Sequence, residues 1–199
     1  MQEVSKEQIY KNIETITSHI DNKISEPNKS VLKKIMDEEI GEIFFSAPAS
    51  GKTKYHLAVP GGLAQHCLNV YNSFVKLNDA FKCGFKDEDM FLCSLLHDFG
   101  KVCTPDMKTP HYKVQESKWH VERGEPYEPD YSKGFMTNRD RTTFLTQAIG
   151  IKLSFEQFQA LLLADGFFTE QNKGYNGDNS KFALYMHFAD FISSIEEKN

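Results

Sequence analysis

The chain has 199 residues, 40% of them hydrophobic and 26% charged, which suits one domain with a real core and no need of disulfide staples. A formal net charge of −5 argues against extensive binding to nucleic acid or an anionic membrane, although all three arginines (Arg123, Arg139, Arg141) fall in one short segment and leave a local basic site open. Cys67, Cys83, Cys93 and Cys103 form no C-x-x-C, which excludes a zinc ribbon or a thioredoxin-type motif; with no apolar leader after Met1 and no membrane-length apolar run, a cytoplasmic chain with reduced thiols is expected.

Taken in order, Ser5 and Gln8 form a capping-box start, and Ile9, Ile13, Ile16 and Ile20 recur at helical spacing. Asp21 to Pro27 reads as a polar break. Asn28 can cap a second helix carrying Val31, Leu32, Ile35, Met36 and Ile40, so residues 1–40 are expected to form a helical hairpin packed on the core of a domain spanning 41–199. Gly41 to Pro60 reads as irregular, with a strand-like Ile43-Phe44-Phe45. It contains the Gly51-Lys52-Thr53 of a phosphate-binding P-loop. Ser46 stands where that motif needs its first glycine, Pro48 removes a backbone donor, and Pro60 breaks the helix that should follow, so a P-loop is rejected.

Pro60-Gly61-Gly62 opens a strong helix whose apolar stripe runs Leu63, Cys67, Val70, Phe74, Leu77, Phe81, with His66 beside it. After Gly84, Asp87 or Asp89 starts a helix leading through Phe91-Leu92-Cys93-Ser94-Leu95-Leu96 into His97-Asp98-Phe99-Gly100-Lys101, where Gly100 is read as the left-handed stop. Thr104 to Arg139 is punctuated by prolines and glycines and holds Trp119, His111, His120 and three tyrosines. It is either a substrate-covering loop or a surface loop pinned by its aromatics. Arg141 to Ile149 reads as a helix. Ser154 and Gln157 cap a further helix ending at Asp165-Gly166; Gly174, Gly177 and Asn179 mark a loop; and a last helix runs from Ser180 through Phe182, Leu184, Phe188, Phe191 and Ile195. The fold class expected is all-α.

Three of these helices carry a group that sits badly in apolar surroundings: His66, His97-Asp98 and Asp190. An unpaired charge buried there costs several kcal/mol, so each either faces water at a rim or has a partner inside. Two imidazoles and two carboxylates offer a mixed nitrogen and oxygen set suited to Mn²⁺, Fe²⁺, Ni²⁺, Zn²⁺ or Mg²⁺.

The order His, His-Asp, Asp, with 31 residues from His66 to His97 and 92 from Asp98 to Asp190, resembles the HD-domain metal-dependent phosphohydrolase superfamily. Gly61-Gly62-Leu63-Ala64-Gln65-His66 is similar to that family's Gly-Gly-Leu-x-x-His, Leu95-Leu96-His97-Asp98-Phe99-Gly100-Lys101 to its Leu-Leu-His-Asp-x-Gly-Lys, and Ala189-Asp190 to its Ala-Asp; the likeness covers roughly residues 40 to 195. It implies an HD-type helical bundle with His66, His97, Asp98 and Asp190 as ligands of a divalent ion. The activity implied is cleavage of a phosphomonoester or phosphodiester, a nucleotide among the candidates, by a metal-bound hydroxide. Asp98 is expected at the catalytic centre, Lys101 either offsetting phosphate charge or solvated at the helix end, and Asp165 serving as an oxygen ligand, as a base that orients water, or only as a helix-end carboxylate facing solvent. Arg123, Arg139, Arg141, Lys52 and Lys54 are candidate phosphate contacts, because guanidinium and ammonium groups pair with phosphate oxygens. Two-metal members add histidines at places that fall near Asn138 and Asp165; neither is a histidine, so one ion is expected. That departure leaves open a non-hydrolytic metal- or nucleotide-binding regulator, and a nuclease acting on single strands is a third reading.

Overall fold

A computed structural model describes residues 3–175 and 180–198. The fold is mostly helical, with one small two-stranded ribbon. The marked loop falls partly outside the described residues: Gly174 lies within them, and Gly177 and Asn179 do not.

Helix α1 (Lys6–Lys23) starts at Ser5, whose hydroxyl accepts from the Gln8 N–H at 3.1 Å; the Gln8 side chain reaches Asn12 instead of the cap, so half of the expected box is present. The helix persists through residues read as a polar break, ending at Lys23. Helix α2 (Asn28–Met36) is not capped by Asn28. That side chain brackets the backbone of Lys152 instead, accepting from its N–H at 2.8 Å and donating to its carbonyl at 2.7 Å, which ties the first hairpin to the far end of the chain. Ile16, Ile20, Leu32 and Ile35 belong to the same apolar cluster as the rest of the molecule, so the hairpin shares the core.

Helix α3 (Glu39–Ser46) corrects the irregular and strand-like reading of this stretch. Ile40, Ile43 and Phe44 have helical spacing that a short run of apolar residues conceals, and Phe44 is fully buried. Helix α4 (Gly62–Ala80) forms the centre, packed against α1, α3 and the helices of residues 87–96 and 181–196. Its entrance needs both glycines. Gly61 has φ +75°, and a Cβ on Gly62 would stand 2.2 Å from the Leu57 carbonyl oxygen.

Helix α5 (Asp87–Leu96) carries Asp87, Glu88 and Asp89 in its first turn, where the helix dipole favours carboxylates; Lys86 is the cap, not an aspartate. Its last turn passes through His97 and Asp98 into a 3₁₀ turn, Phe99–Lys101. Gly100 does not take the left-handed conformation expected of it. It is required because a Cβ would lie 2.5 Å from the Asn138 carbonyl oxygen and 2.7 Å from the Thr142 nitrogen, on helix α7 (Asn138–Ala148).

Between these elements, the long segment from Thr104 to Arg139 is not structureless. Strands β1 (Tyr112–Val114) and β2 (Tyr127–Pro129) pair antiparallel, Tyr112 opposite Pro129, around the short helix α6 (Lys118–Glu122). Three-residue strands carry too little alternation to be read from sequence. The segment lies on the false P-loop, whose Thr53 N–H donates to the Gly124 carbonyl at 2.8 Å. Helix α8 (Phe155–Leu163) has the reciprocal Ser154–Gln157 capping box as expected, and α9 (Lys181–Glu196) starts at Ser180. Phe44, Phe74, Phe91 and Phe99 are all fully enclosed, each contributing about 2–3 kcal/mol of apolar burial.

Candidate metal centre

The tight Gly61-Gly62 entrance sets the register of α4 and turns His66 inward, to zero exposure. The end of α5 delivers His97 as its cap and Asp98 as the residue after it, both buried. On α9, Asp190 projects beside them, its side chain 18% exposed. His66 Nε2 lies 3.1 Å from Asp190 Oδ1 and 3.2 Å from His97 Nε2, and Asp98 Oδ2 lies 3.4 Å from His97 Nε2 and 3.7 Å from His66 Nε2. Of the four residues singled out in the sequence, the two imidazoles meet each other and each stands within 4 Å of both carboxylates.

The hydrogen bonds behind this cluster decide what it can hold. His97 Nδ1 faces the Ser94 carbonyl oxygen at 2.9 Å; a carbonyl only accepts, so Nδ1 carries the proton and Nε2 presents a lone pair inward. His66 Nδ1 donates to Glu197 Oε2 at 2.8 Å, and Glu197 Oε1 in turn accepts from Asn69 Nδ2 at 2.7 Å. In neutral His66 the inward Nε2 is therefore also a bare lone pair. Two lone pairs 3.2 Å apart, faced by two carboxylates, repel unless a cation stands among them. Ligands held about 2.0–2.2 Å from a divalent ion stand about 3–3.5 Å from one another, which is the spacing found here. His66, His97 and Asp98 thus form a group able to bind a metal ion, and Asp190 lies beside it, 3.1 Å from His66 Nε2 and 3.8 Å from His97 Nε2.

Protonation behaves accordingly. Burial alone would lower the pKa of His66, but hydrogen bonds to Asp190 and Glu197 push it up to about 10, so without metal a proton takes the place of the ion. Against its burial, Asp98 is held well below the usual carboxylate range by Lys101 and His97. The half-buried Asp190 is lowered, against its desolvation, by His66 and His97.

Lys101 is no solvated helix-end lysine. It donates to Asp98 Oδ2 at 2.6 Å from a largely enclosed position, and burial, which would lower its pKa, is outweighed by Asp98. Asn138 and Asp165, the two positions where histidines were absent, both border the centre. Asn138 Nδ2 donates to Asp98 Oδ1 at 2.8 Å. Asp165 is exposed at the rim as a residue, with its carboxyl pushed up by desolvation on the inner side and by the Asp98 charge.

The expected phosphate contacts fare differently. Arg141 is corrected outright: it is buried, its guanidinium donating to the Gly100 carbonyl, to the Met136 carbonyl at 2.9 Å and to His111 Nε2 at 2.9 Å, leaving it no face for a substrate. It braces the turn that carries Asp98. Arg139 bonds Asn172 Oδ1 at 2.8 Å, Lys52 pairs with Glu125 at 2.6 Å, Arg123 stacks over Trp119 at 4.5 Å, and Lys54 lies 5.0 Å from the Tyr55 ring.

Sequence reasoning missed Glu197, Asn69 and His56. Glu197 sits in a charged tail beside Glu196, and nothing local distinguishes the two. The His56 ring packs against His66 at 4.4 Å between centroids, its Nε2 buried without a partner; burial, with the nearby His66 charge, lowers its pKa to about 3. It comes from an irregular stretch with no periodicity to flag it. Comparison of the chain with known proteins returned no matching family model, no similar characterised protein and no similar solved structure.

Proposed function

We propose that this chain is a metal-dependent phosphohydrolase of the HD-domain type, holding one divalent ion through His66, His97, Asp98 and Asp190 and cleaving a phosphate ester of a small molecule. The observation that carries the reading is the pair of inward imidazole lone pairs, fixed by Glu197 and Ser94 and closed by two carboxylates. A divalent ion at such a place acidifies water and polarises a phosphoryl oxygen.

The chain's own residues supply the remainder. Lys101 balances the negative charge that two carboxylates and a phosphate would accumulate, and Asn138 holds Asp98 in one rotamer. The raised pKa of Asp165 suits it to take up a proton at the rim. A substrate with an extended polyanionic backbone fits poorly, since the net charge is −5 and Arg139 and Arg141 are engaged within the fold. Four unpaired cysteines support a cytoplasmic setting, and no helix among the described residues is long and apolar enough to cross a membrane. One observation favours a second reading, a non-hydrolytic metal- or nucleotide-binding regulator: the Lys101 ammonium already sits on the carboxylate oxygen that faces the histidines.

A phosphate-release screen with Mn²⁺, run on wild type and Asp98→Ala, separates the two. Metal-stimulated release that vanishes in the variant is expected. Release that survives the substitution overturns the assignment, and tight Mn²⁺ binding with no release from any ester favours the regulator.

A further inference from the structure

The hydrogen bonds behind His66 continue past Asn69 into the N-terminal helix. A carboxylate only accepts, so Asn69 must turn its Nδ2 toward Glu197, at 2.7 Å, and what it then offers on its other side is Oδ1. Gln65 Nε2 donates to that oxygen at 2.8 Å, which leaves Gln65 Oε1 to accept from Asn12 Nδ2 at 3.1 Å. Asn12 Oδ1 accepts in turn from Gln8 Nε2 at 2.8 Å. Each amide is thus oriented by the one after it. All the donors point one way, from α1 through α4 to the carboxylate that holds His66 Nδ1, and bonds aligned in this manner strengthen one another.

Two observations separate this row from plain packing of α1 on α4. Asn12 is 1% exposed, on the face of α1 that also buries Ile16 and Ile20, where an apolar side chain would pack and an amide is costly unless partnered. The row also has a destination. Gln8 with Asn12, and Gln65 with Asn69, are each four residues apart on one helix; His66 lies between the second pair, and the final acceptor is the group that orients its ring.

We propose that Asn12 is a positioning residue of the metal centre, holding His66 Nε2 on its target through Gln65, Asn69 and Glu197. The inference rests on the proposed function only for the ion that His66 faces. The N-terminal hairpin is then a working part of the centre as well as a share of its core.

The test compares Asn12→Leu, Asn69→Leu and the double variant, with Asn22→Leu as control, since Asn22 lies on the same helix and donates to Ser18. Gln8 and Gln65 border an open hollow of about 430 Å³, so the groups stranded by Asn12→Leu reach water and the fold should survive. Gln65→Met breaks the same row from α4 and replaces Asn12→Leu should that variant not fold. Calorimetry is expected to show Mn²⁺ binding about tenfold weaker in Asn69→Leu and about threefold weaker in Asn12→Leu, which acts from further back. Residues that act through one another are not additive, so the double variant should stay near about tenfold. A loss of about thirtyfold, the product of the two, means that Asn12 acts independently of Asn69 and overturns the relay.

A second readout needs no metal. In NMR spectra of the metal-free protein the His66 Nδ1 proton is displaced downfield by the carboxylate that holds it. That resonance should move in Asn12→Leu and Gln65→Met and stay in place in Asn22→Leu. An unmoved resonance in both row variants overturns the proposal, and so does an unchanged Mn²⁺ affinity in both. A resonance that moves in a protein that binds no Mn²⁺ leaves the relay standing and removes only the metal reading.

Discussion

Glu197 offers the sharpest prediction. Its carboxylate is enclosed at the end of α9, accepts the His66 Nδ1 proton at 2.8 Å and is itself fixed by Asn69. Replacing it with alanine removes the acceptor that keeps the His66 lone pair turned inward, and it leaves a fully buried N–H without a partner. Loss of a carboxylate that orients a ligating histidine typically costs about 10–100-fold in metal affinity, or about 1.4–2.7 kcal/mol. The orphaned donor adds about 1–3 kcal/mol to the cost of the fold itself. Glu197→Gln keeps one acceptor oxygen for His66 Nδ1 but gives up the charge and turns its NH2 toward the Asn69 donor, so it should fall between wild type and Glu197→Ala. Mn²⁺ affinity measured by calorimetry on the three proteins, with thermal melts of the metal-free forms, checks the order. An alanine variant that binds Mn²⁺ within about twofold of wild type would show that Glu197 does not position His66 for a cation, and the fit of the centre to a metal would lose its main support.

Two further outcomes follow from the same geometry. The His66 pKa is raised from 6.5 to about 10, so its proton stabilises the metal-free fold fully below pH 6.5 and that contribution is lost as pH climbs through about 10. Because the proton and an ion compete for one place, Mn²⁺ affinity should rise by up to about tenfold per pH unit between pH 7 and 9, with about one proton released per ion in calorimetry across buffers of different ionisation enthalpy; a flat profile would contradict the competition. Separately, Gly100→Ala should destabilise by about 1–3 kcal/mol or more through its collision with Asn138 and Thr142. A chain of this size should then melt several degrees lower. An unchanged melting temperature would mean that α7 does not press on the turn.

Some features of this molecule were readable from residue order alone. Helical periodicity placed α1, α4 and α9, where apolar residues repeat along a long element, the Ser154–Gln157 capping box placed α8, and a continuous apolar run placed α5, which is buried from Met90 to Leu96. His66, His97, Asp98 and Asp190 stood out since a polar group amid apolar neighbours is costly wherever the helix goes. Short elements were a different matter. Helix α3 spans little more than two turns and looked like a strand, and β1 and β2 offer three residues each. Gly100 was marked as special for the wrong reason: its conformation is ordinary, and the constraint comes from a helix some forty residues further along. Arg141 was taken for a phosphate contact because sequence reveals charge but not burial.

What residue order determined by itself was therefore the chemistry on offer: a mostly helical chain with two histidines and two aspartates set where water should be scarce. Tertiary packing alone decided that both imidazoles stand within 4 Å of both carboxylates, that Glu197 and Ser94 turn both imidazole lone pairs toward one point, and that an aromatic hollow opens at the end of α8, against α9. Propensity and periodicity act over a few residues, whereas the direction of a ring nitrogen depends on a partner 131 positions away.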